Sequence, residues 1–117
     1  MAPTIVFDKE GDFLFSTGSP GGSSIIAYTA KTIVAILDWG LSPQEAINLP
    51  NITARNGSVR IEIDKIDPEL ADKLEALGHN IVRSKGENSG IHIIYKQEDG
   101  SLIGAADPRR EGIALQP

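Results

Sequence analysis

A glycine-rich stretch, Gly18-Ser19-Pro20-Gly21-Gly22-Ser23-Ser24, joins an alternating apolar run to the longest helical run of the chain. Glycine has no Cβ, so it adopts backbone angles that other residues avoid and lets a ligand approach closely. Pro20 stiffens the turn, and serine before an apolar run favours the start of a helix. Two adjacent N–H groups at such a helix start suit an oxyanion, a carboxylate or a phosphate. The stretch is therefore either an anion-binding turn or a purely structural turn, in which the glycines only allow the chain to change direction.

Apolar periodicity predicts the elements on both sides of this stretch. Strands are expected at residues 4–8, 13–17, 58–63, 80–84, 91–96 and 101–106, and helices at 24–39, 44–49 and 67–77. Residues 51–55 read as a loose extended piece. Apolar residues cover more than one stripe of the first helix, which predicts burial of most of its circumference. Ser42-Pro43-Gln44-Glu45 has the residues of a capping box. The pattern predicts one domain over 1–117, of α+β or layered α/β class with a largely antiparallel sheet.

Charge and composition exclude several classes of function. The 117 residues carry a net charge of −5 and no cysteine. Binding to nucleic acid or to an acidic membrane surface needs clustered Lys and Arg, and the one adjacent basic pair, Arg109-Arg110, reads as a solvated chain end. Without cysteine there is no disulfide and no thiolate nucleophile. The composition leaves a cytoplasmic, periplasmic or secreted location open, and no apolar run of about 18 residues is present.

The sequence has no recognisable cofactor or metal motif. His79 and His92 are the only histidines, and neither stands at ligand spacing from another strong ligand. A P-loop lysine, a G-x-G-x-x-G fingerprint and a G-x-S-x-G elbow are also missing. We therefore expect no cofactor and no metal. The glycine-rich stretch is a candidate anion-binding site, but the sequence shows no evident nucleophile or base to act beside it.

Five motifs follow one another along the chain: Met1-Ala2-Pro3-Thr4-Ile5-Val6, Gly18-Ser19-Pro20-Gly21-Gly22-Ser23, Asp38-Trp39-Gly40, Gln44-Glu45-Ala46-Ile47 with Pro50, and Gly104-Ala105-Ala106-Asp107-Pro108-Arg109-Arg110-Glu111-Gly112. In this order they resemble the C-terminal part of the small subunit of gamma-glutamyltransferases. The resemblance covers essentially the whole chain. Asn51 and Arg55-Asn56-Gly57 differ from the Pro-Arg-aromatic-His pattern of glutathione-degrading members and are more similar to a branch of gamma-glutamyltransferase-like proteins.

The resemblance implies a partial αββα sandwich of the N-terminal nucleophile hydrolase type, made by a self-cleaving precursor. It also implies an acyl-enzyme mechanism, in which a new N-terminal threonine attacks a gamma-glutamyl amide and water or an amine then takes the acyl group. By the same resemblance, Gly21 and Gly22 donate their N–H groups to the oxyanion, and Ser19, Pro20 and Ser23 shape the loop.

The residues that the family uses for attack and substrate binding have no match in these 117 residues. They are the threonine nucleophile, an aspartate for the substrate amino group, a serine pair for its carboxylate, and an arginine of the large subunit. We therefore expect the chain alone to be inactive, with the large subunit and the N-terminal part of the small subunit as missing partners. Uncovered sheet edges further predict a homo-oligomer of the chain. Two alternatives are a free-standing non-enzymatic binding or assembly module and a phosphate-binding domain.

Overall fold

The computed structural model describes residues 1–85 and 88–115, and within these ranges the chain forms seven β-strands and three α-helices. In chain order they are β1 (Thr4–Phe7), β2 (Phe13–Gly18), α1 (Ile25–Leu37), α2 (Pro43–Asn48), β3 (Ile52–Ala54), β4 (Val59–Glu62), α3 (Pro68–Ala76), β5 (Ile81–Ser84), β6 (His92–Lys96) and β7 (Leu102–Ala106). Two short 3₁₀ turns lie at Gly22–Ser24 and Ile63–Lys65. The predicted α+β class is confirmed.

The described residues fall into two compact units, one of residues 1–48 and 88–115 and the other of residues 49–85. The expectation of one domain stays a prediction. None of the helices in the described ranges is both long and apolar enough to cross a membrane.

The larger unit contains a four-stranded antiparallel sheet in the order β1-β2-β6-β7. Along each strand of this sheet, successive side chains point to opposite faces. The side chains on one face are buried together with residues of α1 and α2. The buried apolar side chains of this unit are Phe15, Tyr28, Ala35, Ile36, Ala46, Ile47, Ile91, Ile93 and Ala105. The opposite face of the sheet exposes apolar side chains, among them Ile5, Phe7, Ile94 and Leu102. We call this second surface the open face.

Helix α1 is less buried than its composition predicts. Its buried residues include Tyr28, Thr32 and Ala35, which follow a helical repeat along one side. On the other side Ile26 is 76% exposed and Leu37 49% exposed. The expectation of burial around most of the circumference is therefore wrong for this structure, because the chain places its core on only one side of the helix.

Two other local predictions have clear outcomes. The capping box is present, since the Ser42 N–H and Oγ both donate to Oε2 of Glu45, at 2.9 and 2.6 Å. The extended piece 51–55 is not loose, because it contains β3, which pairs antiparallel with β4. Three residues are too few to show an alternation of apolar and polar side chains, so the sequence of β3 does not predict a strand. The strand forms because it pairs with β4, which follows it after residues Asn56 and Gly57.

The smaller unit has a three-stranded sheet in the order β3-β4-β5. Strands β4 and β5 are parallel, joined by the crossover helix α3, so this sheet is mixed whereas the larger sheet is wholly antiparallel. Asp67 caps α3 by accepting the Glu69 N–H at 3.0 Å, and Pro68 occupies the first helical position.

Candidate oxyanion loop

Residues 18–24 lead from the end of β2 to the start of α1, and their backbone geometry accounts for the two adjacent glycines. The φ angles are +134° at Gly21 and +61° at Gly22, in a region that L side chains rarely adopt. A Cβ on Gly21 would also lie 2.7 Å from Cε2 of the buried Tyr28, whereas one on Gly22 would meet open space. Glycine is therefore favoured at 21 by conformation and by space, and at 22 by conformation alone.

The N–H groups of Gly21 and Gly22 have no hydrogen-bond acceptor among the residues that the structure describes. Gly21 is half-buried and Gly22 is exposed. The first N–H groups at the start of a helix have no acceptor within the helix, so these two donors remain available to a ligand or to water. They stand one turn before the 13-residue helix α1, whose N-terminal end carries partial positive charge. The pair can donate to a negatively charged or polarised oxygen from outside the chain.

The three residues predicted to shape the loop have different environments. Ser19 is 2% exposed, and its Oγ donates to the carbonyl of Pro20 at 2.6 Å and accepts the Gly90 N–H at 3.0 Å. Pro20 is half-buried and closely packed, since a Cβ on Gly90 would lie 2.9 Å from its Cγ. Ser23 is exposed. The structure thus brings all five predicted residues into one loop, and their catalytic and supporting roles stay predictions.

A buried carboxylate lies behind this loop, and sequence reasoning did not identify it. Oδ2 of Asp107 accepts the Ser89 hydroxyl at 2.6 Å and the Ile91 N–H at 3.2 Å. Oδ1 accepts the Arg109 N–H at 3.0 Å and the Arg109 guanidinium at 3.1 Å. The same guanidinium donates to the carbonyl of Ile47 at 3.0 Å. We call Ser89, Asp107 and Arg109 the Asp107 cluster.

The Asp107 carboxylate is held in its ionised form by these partners. Burial by itself would raise the pKa of Asp107, because a charged carboxylate loses its hydration. The hydrogen bonds from Ser89 and from the backbone N–H groups of Arg109 and Ile91, together with the Arg109 charge, outweigh burial and lower that pKa below its ordinary value. The cluster is therefore a charge-compensated buried site rather than a solvated chain end.

The motif Asp107-Pro108-Arg109-Arg110 was the available sequence signal for this cluster. Composition alone suggested that the Arg109-Arg110 pair is solvated, and for Arg109 this is wrong, because its side chain is 5% exposed and pairs with a fully buried Asp107. Arg110 is an exposed residue, and it donates from Nε and Nη2 to the carbonyl of Asn88, at 2.9 and 2.7 Å. A charged residue next to a proline gives no local sign of burial, so tertiary contacts were needed to show it.

A groove of about 270 Å³ opens beside the loop. Its walls are largely apolar and comprise Met1, Pro3, Gly18, Ser19, Pro20, Gly90 and His92. Nδ1 of His92 lies 3.2 Å from the carbonyl oxygen of Gly90. Among the described residues, no three or more His, Asp or Glu side chains are grouped so that they could hold a metal ion.

Comparison with known proteins identifies the family of the chain. The family model for gamma-glutamyltranspeptidase matches residues 1–116. The chain is 36% identical over 110 residues to the glutathione hydrolase proenzyme of Escherichia coli, covering 93% of this chain and 19% of that protein. It is also 36% identical over 112 residues to the acylase ACY 1 proenzyme of a Pseudomonas species, covering 96% of this chain and 20% of that protein. The chain thus spans about a fifth of the length of these curated relatives.

A solved structure gives the same result at the level of the fold. The chain superimposes on an acivicin-inhibited gamma-glutamyltranspeptidase with a TM-score of 0.85 at 29% identity, covering 96% of this chain and 61% of that one. The N-terminal nucleophile hydrolase fold expected from the resemblance is therefore confirmed. With a family match over nearly all of its residues, the chain belongs to the gamma-glutamyltranspeptidase family.

Proposed function

We propose that this chain is the C-terminal portion of an enzyme that cleaves gamma-glutamyl amides, and that it supplies the oxyanion hole. The observation that carries the proposal is the pair of consecutive N–H groups at Gly21 and Gly22, which have no acceptor among the described residues. Both donors would bind the oxygen of the tetrahedral intermediate that forms when the gamma-glutamyl carbonyl is attacked. In such a hole the donors act on charge that develops only at the transition state, so they raise kcat rather than tighten substrate binding.

The remaining catalytic parts would come from outside these 117 residues. A threonine nucleophile supplied by the preceding part of the small subunit would attack the amide carbonyl, break its C–N bond and release the amine, leaving the acyl-enzyme. Water or a second amine would then take the acyl group and free the threonine. The chain by itself would then be inactive. Two relatives support an amide substrate through their names, since one is a glutathione hydrolase and the other an acylase. An acivicin-inhibited relative, whose C-terminus has critical roles in autoprocessing and catalysis, supports a contribution of this region to the reaction.

The proposal is tested in a chimeric proenzyme. The matched 110-residue segment of the Escherichia coli glutathione hydrolase is replaced by this chain, and hydrolysis of a gamma-glutamyl anilide is measured. Gly22→Val places a β-branched residue at φ +61° and displaces the N–H donor, and loss of one such donor lowers kcat by about 100- to 1,000-fold. The cleaved subunits are quantified on a gel, so that a maturation defect is distinguished from a catalytic one.

Gly40→Val is the matched control for this variant. Gly40 has φ +67°, and like Gly22 it has open space where a Cβ would stand. Both substitutions therefore impose similar backbone strain on the same compact unit, and only the one at Gly22 alters a proposed donor. A matured chimera that keeps its kcat after Gly22→Val would refute the oxyanion role.

We also propose that the isolated chain self-associates through the open face. Ile5 is 62% exposed and Ile94 51% exposed, and the two flank Ser16 in one row across β1, β2 and β6. Exposed apolar patches of this kind mark interaction surfaces. Light scattering should show a dimer or larger species, and Ile94→Lys should shift it toward monomer. A monomer at high concentration before any substitution would contradict this proposal.

A further inference from the structure

Ser19 connects the proposed oxyanion loop to a segment that is distant in sequence. Its buried Oγ accepts the Gly90 N–H at 3.0 Å across a sequence separation of 71 residues. The O–H of the same hydroxyl donates to the carbonyl of Pro20 at 2.6 Å. The peptide that carries the Gly21 N–H begins with this carbonyl, so Ser19 contacts the first of the two donor peptides directly.

Segment 88–91 is fixed in turn by Asp107. Oδ2 of Asp107 accepts from Ser89 and from the Ile91 N–H, the residues on each side of Gly90. The Asp107 N–H also donates to the carbonyl of Ile91 at 2.9 Å. Because Ser89, Gly90 and Ile91 are each less than about a tenth exposed, water does not compete strongly for these bonds. The carboxylate therefore sets the position of the Gly90 N–H.

The contact between segment 88–91 and the loop is also steric. A Cβ on Gly90 would lie 2.9 Å from Cγ of Pro20 and 2.8 Å from Cδ of Arg110. The carbonyl oxygen of Asn88 lies 3.3 Å from the place where a Cβ of Gly21 would stand. The segment and the loop are therefore close-packed, with too little room for a Cβ at Gly90.

We propose that Asp107 is a positioning residue for the Gly21 and Gly22 amides, acting through Ser89, Gly90 and Ser19. The inference rests on the proposed function for its catalytic consequence, but its structural content does not depend on activity. Productive sites hold their groups to within about 0.5 Å, and a misplacement of about 1 Å can lower the rate about 100-fold. Since the proposed substrate-gripping residues lie elsewhere, kcat should fall while KM changes little.

The first test is nuclear magnetic resonance of the 117-residue chain. In the wild type, the Gly21 and Gly22 amides should have order parameters of about 0.85, and in Ser89→Ala and Asp107→Asn these should fall below about 0.6. Ser19→Ala removes the last link without touching the carboxylate and must have the same effect. If Asp107→Asn does not fold, Ser89→Ala decides, because it removes a donor to the same carboxylate and leaves the loop contacts of Ser19 in place. Unchanged Gly21 and Gly22 resonances in the folded variants would overturn the proposal.

The second test uses the chimeric proenzyme. Ser19→Ala and Ser89→Ala should each lower kcat by about 100-fold with KM within about twofold. Ser101→Ala is the matched control, because it removes an exposed hydroxyl whose partners among the described residues are only Gln97 and Asp99 in the β6–β7 turn, and it should leave kcat unchanged. Disordered amides with an unchanged kcat would keep the positioning role and refute the oxyanion function. Ordered amides would refute the positioning role whatever the activity.

Discussion

The substitution Gly21→Ala should destabilise the larger unit much more than an alanine at another positive-φ glycine. At φ +134° an L-residue is strained, which costs about 1–3 kcal/mol. The added Cβ would also lie 2.7 Å from Cε2 and 3.2 Å from Cδ2 of Tyr28. Because Tyr28 is 2% exposed, its ring cannot turn into solvent, and overpacking of this kind costs about a further 1–3 kcal/mol.

Gly40→Ala provides the reference value. Its φ is +67° and, apart from its chain neighbours, no described residue has an atom within 4 Å of the position of a Cβ, so only the left-handed backbone penalty of about 1–2 kcal/mol applies. Gly22→Ala, at φ +61° and equally open, should cost about the same. The free energies of unfolding are measured by urea denaturation followed by far-UV circular dichroism.

A double-mutant cycle separates the two contributions at Gly21. Tyr28→Leu removes the aromatic carbons that a Cβ at position 21 would meet. Gly21→Ala should therefore lower the free energy of unfolding less in the Tyr28→Leu background than in the wild type. The backbone contribution should remain. If Gly21→Ala lowers the free energy of unfolding by the same amount as Gly40→Ala, within about 0.5 kcal/mol, the steric reasoning is wrong.

Three further predictions concern buried charge and capping. Arg109→Ala should lower the free energy of unfolding by about 3–5 kcal/mol, because it leaves the buried Asp107 carboxylate without its counter-charge. The exposed Arg83→Ala should have a smaller effect. Since the folded pKa of Asp107 is lowered, its ionisation stabilises the fold above pH of about 4 and this contribution is lost as the pH falls through the folded pKa. Asp67→Ala should cost about 1 kcal/mol, because the Glu69 N–H loses its acceptor.

Each of these has a direct check by denaturation. If Arg109→Ala and Arg83→Ala lower the free energy of unfolding by the same amount, the charge of Arg109 does not stabilise the Asp107 cluster. The stability difference between wild type and Asp107→Asn should shrink in acid, and a difference that grows below pH of about 4 would contradict the lowered pKa. For the cap, Asp67→Asn serves as the control, since its side-chain oxygen can still accept the Glu69 N–H.

Local patterns were sufficient for most elements of this chain. Strand alternation, helix periodicity and the Ser42 capping box each depend on residues within a few positions of one another, so they can be predicted without a structure. They did not reveal β3, which needs its partner strand, or the exposed side of α1, whose composition resembles that of a buried helix.

The sequence by itself therefore determined the α+β class, the order of the main elements and the glycine pair at the start of α1. Only the tertiary structure decided that Asp107 is buried, that Ser89 and Gly90 connect it to Ser19, and that Tyr28 restricts residue 21 to glycine. The hydrogen bonds involved join residues 18 and 71 positions apart. Burial and partnership over such distances depend on how the chain folds back on itself, and no local pattern of residues specifies them.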